Sequence, residues 1–310
     1  MNELEEIIAF LREKPYLLKM GAYTVSKRFN IDIELFKQAR DNFKNKTLKT
    51  KLIHKEGPKI LIFDVETAPM RAYIWSRWKQ NIYLDQTISE WFMLTWSAKW
   101  LFSKEIISNR LTGKEVLKED DSRIVKELWK LFDTADIVIA HNAKGFDILK
   151  CNSRFILNGL YPPSYYKVID TKEIAAKHFG FSSNKLDALA QLFHIPVKLH
   201  TGFELWSKCM EGDEKSLKYM EKYNKHDVEI LEEVYLTLLP YIKGHPNYNL
   251  YIDSIAPVCP TCGGTHLEST GYYYYTPVSK YENFRCVECG SLSRSRKSIL
   301  KKSKNILISN

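Results

Sequence analysis

Four acidic side chains in three separated stretches carry the chemistry this sequence offers: Asp64 and Glu66 in KILIFDVET, Asp147 in IVIAHNAKGFD, and Asp227 in YNKHDVE. With no obvious nucleophile beside them, clustered carboxylates suit a site that holds divalent cations for phosphodiester hydrolysis. Asp64 and Glu66 follow the apolar run Ile60-Leu61-Ile62-Phe63, which reads as a buried strand. Residues two apart on a strand face the same way, so both carboxylates address one point in space. Like charges held that close repel, and a bound cation is the usual remedy. Taken alone, the same Asp-Val-Glu at a strand end also reads as a solvated turn.

The elements that must position the other two carboxylates are legible from periodicity. Ile137 to Ala140 is a short apolar strand, His141-Asn142 a turn, and Gly145 to Leu149 opens a helical pattern, placing Asp147 near a helix start. A carboxylate there also has a simpler use, as a negative charge favoured by the helix dipole. From Leu217 to Leu239 apolar residues recur at helical spacing, so Tyr223 and Asp227, four apart, share one face. The competing expectation for that face is a solvated acidic surface continued by Glu229, Glu232 and Glu233.

In order, spacing and flanks, DVET at 64 to 67, HNAKGFD at 141 to 147 and YNKHD at 223 to 227 resemble the DEDD superfamily of 3'-5' exonucleases, which have a ribonuclease H-like fold. A tyrosine four residues before the last aspartate is the DEDDy pattern; the histidine subgroup would have His at position 222, which is Lys. Asn142 ahead of Phe146-Asp147, with IDTKEIAAKHF and KLDALAQLFHIPVK, looks most like the proofreading domains of family B DNA polymerases.

The resemblance covers about residues 57 to 243 and implies an α/β fold there, a ribonuclease H-like mixed sheet flanked by helices. It further implies that Asp64, Glu66 and Asp227 hold one metal ion, that Asp64 also touches a second, and that Asp147 acts directly or through water. Of the two ions, one activates the attacking water and the other stabilises the leaving 3'-oxygen. Asn142 and Phe146 would contact the nucleic acid, and Tyr223 would orient the water. A phenol of ordinary pKa is a poor base at neutral pH, so positioning suits Tyr223 better than proton abstraction. All-oxygen ligands favour magnesium or manganese over zinc. His226 points elsewhere on the helix and receives no role.

A second metal signal lies beyond that region. Cys259-Pro-Thr-Cys262 and Cys286-Val-Glu-Cys289 are paired CxxC knuckles, each followed by glycine, and predict a structural zinc ribbon over 255–292. A redox or disulfide pair is the competing assignment; six cysteines in all and no signal peptide weigh against it. Cys151 and Cys209 are expected to be packed rather than reactive. Between the knuckles run Tyr272 to Tyr275, then Tyr281 and Phe284, rings suited to unpaired bases. A basic tail over 293–310, with Arg294, Arg296, Lys297, Lys301, Lys302 and Lys304, would neutralise phosphates. Plain packing of the rings and a solubilising tail are the alternatives.

Residues 1–50 form a separate helical module, with apolar spacing over Glu3 to Arg12, Gly21 to Asn30 and Ile33 to Phe43. The arrangement resembles a helix-turn-helix, whose third helix would turn Lys37, Arg40 and Lys44 toward nucleic acid; three short helices serve equally as a packing or partner module. The lysine-rich stretch Asn45 to Pro58 marks a linker. Met70 to Leu101 is dense in tryptophan: Trp91 to Trp100 is expected as the next strand of the sheet. Trp75, Trp78 and Tyr83 fall in the preceding loop, where a substrate end enters in the family, and both packing and base stacking are open to them.

A net charge of +9 over 310 residues points to a polyanionic partner. No apolar stretch is long enough for a membrane span and no cleavable signal is visible, so a cytoplasmic protein without a membrane partner is expected. The expected partner is nucleic acid with single-stranded or frayed 3' ends. Because the residues after 243 read as ribbon and tail, the expectation is a stand-alone exonuclease rather than proofreading in cis. The polymerase resemblance puts DNA before RNA, although the carboxylates do not separate the two polymers. Against this stand an RNA-processing nuclease and a binding or regulatory protein built on an inactive exonuclease scaffold.

Overall fold

In the computed structural model, which describes residues 3–13, 22–41, 57–196 and 201–300, the chain divides into two compact units. One is Gly57–Ile252; the other joins Met1–Glu56 with Asp253–Asn310.

Near the N-terminus, helices α1 (Glu3–Glu13), α2 (Ala22–Phe29) and α3 (33–41) bury Ile7, Leu11, Val25, Phe36 and Ala39 against one another. Asp32 caps α3, its Oδ1 accepting from the backbone N–H of Glu34 at 3.0 Å and Leu35 at 2.9 Å. Of the cations expected to face nucleic acid, Lys37 and Arg40 lie on α3. Lys37 pairs with Glu34 on its own helix at 2.6 Å, and the Arg40 guanidinium lies 5.9 Å from the centre of the Phe36 ring. Lys44 and nearly all of the linker lie outside the described residues.

In the larger unit, strands β1 (Ile60–Thr67), β2 (Arg71–Ala72), β3 (Thr87–Ser89), β4 (Met93–Trp100), β5 (Ile107–Arg110), β6 (Ile137–Ala140) and β7 (Lys167–Asp170) are interleaved with helices. These are α4 (Gly113–Leu117), α5 (Ser122–Thr134), α6 (Asp147–Leu157), α7 (Thr171–His178), α8 (Leu186–Leu192), α9 (Phe203–Met210) and α10 (Glu214–Leu238). Five strands form a mixed sheet in the order β5-β4-β1-β6-β7. β1 sits at its centre, antiparallel to β4 and parallel to β6, and its buried apolar residues explain the uninterrupted run that precedes the first carboxylate. Phe63 and Val65 point into a cluster with α5 and α6, where Phe63 meets Phe132 edge-on at 4.8 Å and Phe132 meets Phe155 at 5.7 Å.

β1 does not end before its acids. It continues through Thr67, so Asp64 pairs with Ser97 and Glu66 with Thr95 of β4, and the solvated-turn alternative fails because a neighbouring strand occupies the place of water. The tryptophan-rich segment divides as its burial dictates. Trp96 is inside, its indole N–H donating to the Ile124 carbonyl at 2.8 Å, while Trp75 and Trp78 stand exposed on the excursion that carries β2 and β3. Packing therefore does not account for those two rings.

Toward the C-terminus, β8 (Leu267–Thr276), β9 (Ser279–Cys286) and β10 (Leu292–Arg294) form an antiparallel sheet in the order β10-β9-β8. The sheet runs past the boundary expected at 292. Arg294 pairs with Asn283, the Ser295 N–H donates to the Glu282 carbonyl and the Ile299 N–H to the Lys280 carbonyl, both at 2.9 Å. Lys301, Lys302 and Lys304 lie outside the described residues. Among the described residues no helix is long and apolar enough to cross a membrane.

Candidate functional site

Alternation along β1 turns Asp64 and Glu66 to the face opposite Phe63 and Val65, and α10 lies across that face. One carboxylate oxygen each from Asp64, Glu66 and Asp227 lie within 4.8 Å of one another. The helix is held there at several levels. Asp213 caps it, accepting from the Ser216 N–H at 2.8 Å. Arg110 of β5 reaches Glu214 at 2.8 Å and Glu221 at 3.4 Å. Glu232 is buried and binds Lys99 at 2.6 Å while accepting from the Phe102 N–H at 2.9 Å. The face expected as a solvated acidic surface is thus partly inside, because Lys99 on β4 supplies the counter-charge that makes burial of Glu232 tolerable.

Asn224, wholly buried on α10, donates from Nδ2 to Asp64 Oδ2 at 2.6 Å. Its own Oδ1 is buried with no hydrogen-bond partner among the described residues. Sequence reasoning did not single out Asn224, although its place three residues before Asp227 puts it on nearly the same helical face.

Without a counter-charge the group is electrostatically unfavourable. Burial first, then the charges of Asp147, Glu66 and Asp227, hold the Asp64 carboxyl well above the usual range, with the Asn224 bond opposing. Burial and the neighbouring Asp227 and Asp147 push Glu66 to about 8. Asp227 is pushed by burial to about 6 against the pull of the Tyr223 hydroxyl, which hydrogen-bonds it. Burial above all, then Asp227 and Glu66, keep the Tyr223 phenol well above its ordinary pKa, so it stays protonated and donates.

Asp147 stands at the first turn of α6, buried, and outside the converging triad. Burial raises its carboxyl to about 7, while its own backbone N–H and that of Val65 pull the other way. It is close enough for its charge to raise both Asp64 and Glu66.

The turn that delivers Asp147 is clasped by Asp170, another residue the motifs did not single out. Its Oδ1 accepts from the N–H of Asn142 at 3.0 Å and its Oδ2 from that of Lys144 at 3.0 Å; Oδ1 also accepts from Lys172 and Glu173, capping α7. The Asp-Thr-Lys-Glu order of an N-cap was the available signal. Asn142 sits at φ 75, and a Cβ on Gly145 would fall 2.8 Å from Asn142 Oδ1, so a larger residue there would have to displace the Asn142 amide. His141 bridges Thr171 Oγ1 at 2.9 Å and the Asn184 carbonyl at 2.8 Å, and burial lowers its pKa, consistent with a neutral structural imidazole.

Of the side chains expected at nucleic acid, the Asn142 Oδ1 accepts from Lys172 Nζ at 3.2 Å, and Phe146 is half-buried against the core. Lys150, one turn further along α6, has its ammonium 3.6 Å from the centre of the Trp91 ring. Both line a cleft of about 550 Å³ that opens beside the end of β1, with Thr67, Met70, Phe203 and Trp206 among its other walls. In the other unit the Arg294 guanidinium lies 4.2 Å from the Tyr281 ring centre and 5.2 Å from that of Tyr274, while Arg296 and Lys297 are exposed.

There too the four cysteines converge. Sγ of Cys259 lies 3.7 Å from that of Cys289, and Sγ of Cys262 lies 3.7 Å from that of Cys286. A tetrahedron with metal–sulfur bonds of about 2.3 Å has edges of about 3.8 Å, so this spacing suits one tetrahedral ion. Gly263 and Gly290 take positive φ just after each knuckle, and the N–H groups of Thr261 and Gly264 donate to Cys259 and Cys262 sulfurs at 3.4 Å. Cys151 and Cys209 are buried and unbridged.

With this geometry in place, the Gly57–Ile252 unit has a ribonuclease H-like fold, its acidic triad on the central strand and the long helix across it. A family model described as the RNase_H superfamily matches residues 105–239, which include Asp147, Tyr223 and Asp227 but begin after β1. Among solved structures, the family B DNA polymerase from the hyperthermophilic archaeon Pyrobaculum calidifontis is similar over 59% of this chain and 25% of its own, at 17% identity and a TM-score of 0.44. No curated protein matches the sequence.

Proposed function

We propose that the chain is a metal-dependent 3'-5' exonuclease that acts on DNA, with no polymerase segment within its 310 residues. The observation that carries this is the convergence of Asp64, Glu66 and Asp227, whose oxygens and mutual repulsion suit hard divalent cations such as magnesium or manganese. When bound, two such ions would make water acidic enough to attack and would stabilise the leaving 3'-oxygen.

The chain's own residues supply the rest. Asp64, Glu66 and Asp227 hold the cations; Asp147, set back from them, acts on the site directly or through a water. Asn224 fixes the rotamer of Asp64. Tyr223, kept protonated by burial and the acids around it, orients the attacking water by hydrogen bonding and does not take its proton. Asn142 and Phe146 are assigned to the strand being cut, and the cysteines of the other unit to one structural zinc, with Arg294, Arg296 and Lys297 contacting phosphates there.

A time course on 5'-labelled single-stranded DNA and RNA of one sequence, with magnesium or manganese and an Asp64→Ala control, tests the proposal. A descending ladder on DNA, lost in the control, supports it. A ladder on RNA alone overturns the choice of polymer, and no cleavage of either moves the protein to the class of binding scaffolds.

A further inference from the structure

Between β1 and β4 the chain leaves the sheet for an excursion in which every residue from Tyr73 to Asp85 is exposed. Its large side chains are not incidental surface. Trp75 is 94% and Trp78 81% exposed, and Tyr73 and Tyr83 stand out beside them. Indole rings seldom face water to this extent without an occupant, since each leaves a large apolar area unburied.

Nor is the segment loose chain. Ser76 Oγ donates to the Trp78 carbonyl at 3.2 Å, and Gln80 Nε2 donates to that same carbonyl at 2.9 Å and to Ser76 Oγ at 2.7 Å. Lys79 takes the left-handed φ of 52 that closes the turn. At the base, the Tyr73 N–H donates to the Gln86 carbonyl at 2.9 Å, and Arg71 binds Glu119 and Ser89. The rings are presented on a shaped support, so little ordering remains to be done when something stacks on them.

Charge selects the occupant. Arg77 and Lys79 flank Trp78 and are exposed, with no ion pair among the described residues. Of its polar side chains, Ser76 and Gln80 are bonded within the turn itself, while Asn81 and Asp85 are exposed toward the far end of the excursion. Around Trp75 and Trp78 the surface offers ring faces and two cations, Arg77 and Lys79, the combination that holds a strand of unpaired bases through stacking and phosphate contact. We infer that the Tyr73–Asp85 excursion is a stacking platform for single-stranded DNA, extending the hold of the enzyme several nucleotides beyond the bond cut. This rests on the exonuclease proposal for its polymer. Placement agrees: Thr67 to Met70, which lead from Glu66 into the excursion, also wall the cleft beside the carboxylates.

The test compares the full chain with Trp75→Ala/Trp78→Ala and Trp75→Phe/Trp78→Phe on two substrates, oligo(dT) of about twenty nucleotides and the p-nitrophenyl ester of thymidine monophosphate. Losing two stacked rings should raise KM for the oligonucleotide at least about 10-fold. Hydrolysis of the ester, too short to reach the rings, should be unchanged, and the phenylalanine pair should restore most of the loss. Equal KM in all three proteins overturns the platform, as does an effect confined to oligo(rU). A shift from dimer to monomer in sedimentation of the alanine variant, with KM unmoved, would assign the rings to a second copy of the chain instead. Should the protein cleave neither substrate, the exonuclease proposal fails by itself. Fluorescence-monitored binding of oligo(dT) in an Asp64→Asn background then decides the platform: ring-dependent binding retains it, and equal binding removes it.

Discussion

Asn224 on α10 donates a 2.6 Å hydrogen bond to Asp64 on β1, across 160 residues of sequence. The bond ties the helix that carries Asp227 to the strand that carries the other two acids, so a neutral amide sets the geometry of a charged cluster. Replacing Asn224 by Ala should lower apparent magnesium affinity or cleavage by about 10- to 100-fold, as loss of a ligand's outer partner does. Titrating activity against magnesium in the variant checks it, and an unchanged curve removes Asn224 from the site.

Activity and stability should move in opposite directions at Asp64. Asp64→Asn keeps the size and the Asn224 contact while removing a charge that its neighbours oppose. Cleavage should fall by at least on the order of 10³-fold. Without added divalent cation, Tm at pH 8 should rise by about 2 °C or more. Thermal melts beside rate measurements decide this, and a lower Tm would mean the carboxylate is not under repulsive load.

The same repulsion sets a pH dependence. Asp227, Asp147 and Glu66, raised to about 6, 7 and 8, still hold protons at pH values where an unfolded chain, titrating near 3.8 and 4.5, has released them. Their stabilising contribution is complete below the unfolded values and is lost as pH climbs through the folded ones. His141 and His245, buried with lowered pKa, slope the other way, which makes a paired comparison necessary. Saturating magnesium should therefore raise Tm more at pH 8 than at pH 5. An equal increment at both would show that these acids ionise freely without a cation.

Tyr223→Phe should slow cleavage about 10-fold, equivalent to about 1.4 kcal/mol, without abolishing it. Because burial and Asp227 hold the phenol above its ordinary pKa of 10.0, the wild-type pH–rate profile should show no limb from its ionisation below that value. A limb that disappears in the phenylalanine variant would make the tyrosine a base.

At the cysteines, the protein should purify with one zinc per chain and Cys286→Ser should lose it. Near-ultraviolet dichroism of the tyrosines on β8 and β9 should then collapse while magnesium-dependent ester hydrolysis persists, since the carboxylates belong to the other unit. Metal analysis of the purified protein reads the first outcome directly.

Much of this molecule is legible before folding because its signals are strong and local. Ile60 to Phe63 spell a central strand, the two-residue step from Asp64 to Glu66 fixes a shared face, and the CxxC pairs announce a sulfur cage. What escapes is polar chemistry whose partner lies far away. Glu232 reads as one more solvated acid until Lys99 is seen beneath it, and Asn224 as an ordinary helix amide until Asp64 is opposite. Asp170 carried a capping signature, but nothing local told that it would also clasp the turn before Asp147. Arg294 to Ile299 read as tail because serine and basic residues mask the pairing that their backbone makes.

The triad draws two carboxylates from the first strand of its unit and the third from the last long helix. A chain still being synthesised, surrounded by RNA and ribosome, carries Asp64 and Glu66 early but lacks Asp227 until α10 has been made and docked. A cation that needs all three carboxylates would then bind only after α10 has docked, and its binding free energy would favour the folded unit alone. The order of residues would thus keep the proposed centre unassembled until α10 has been made.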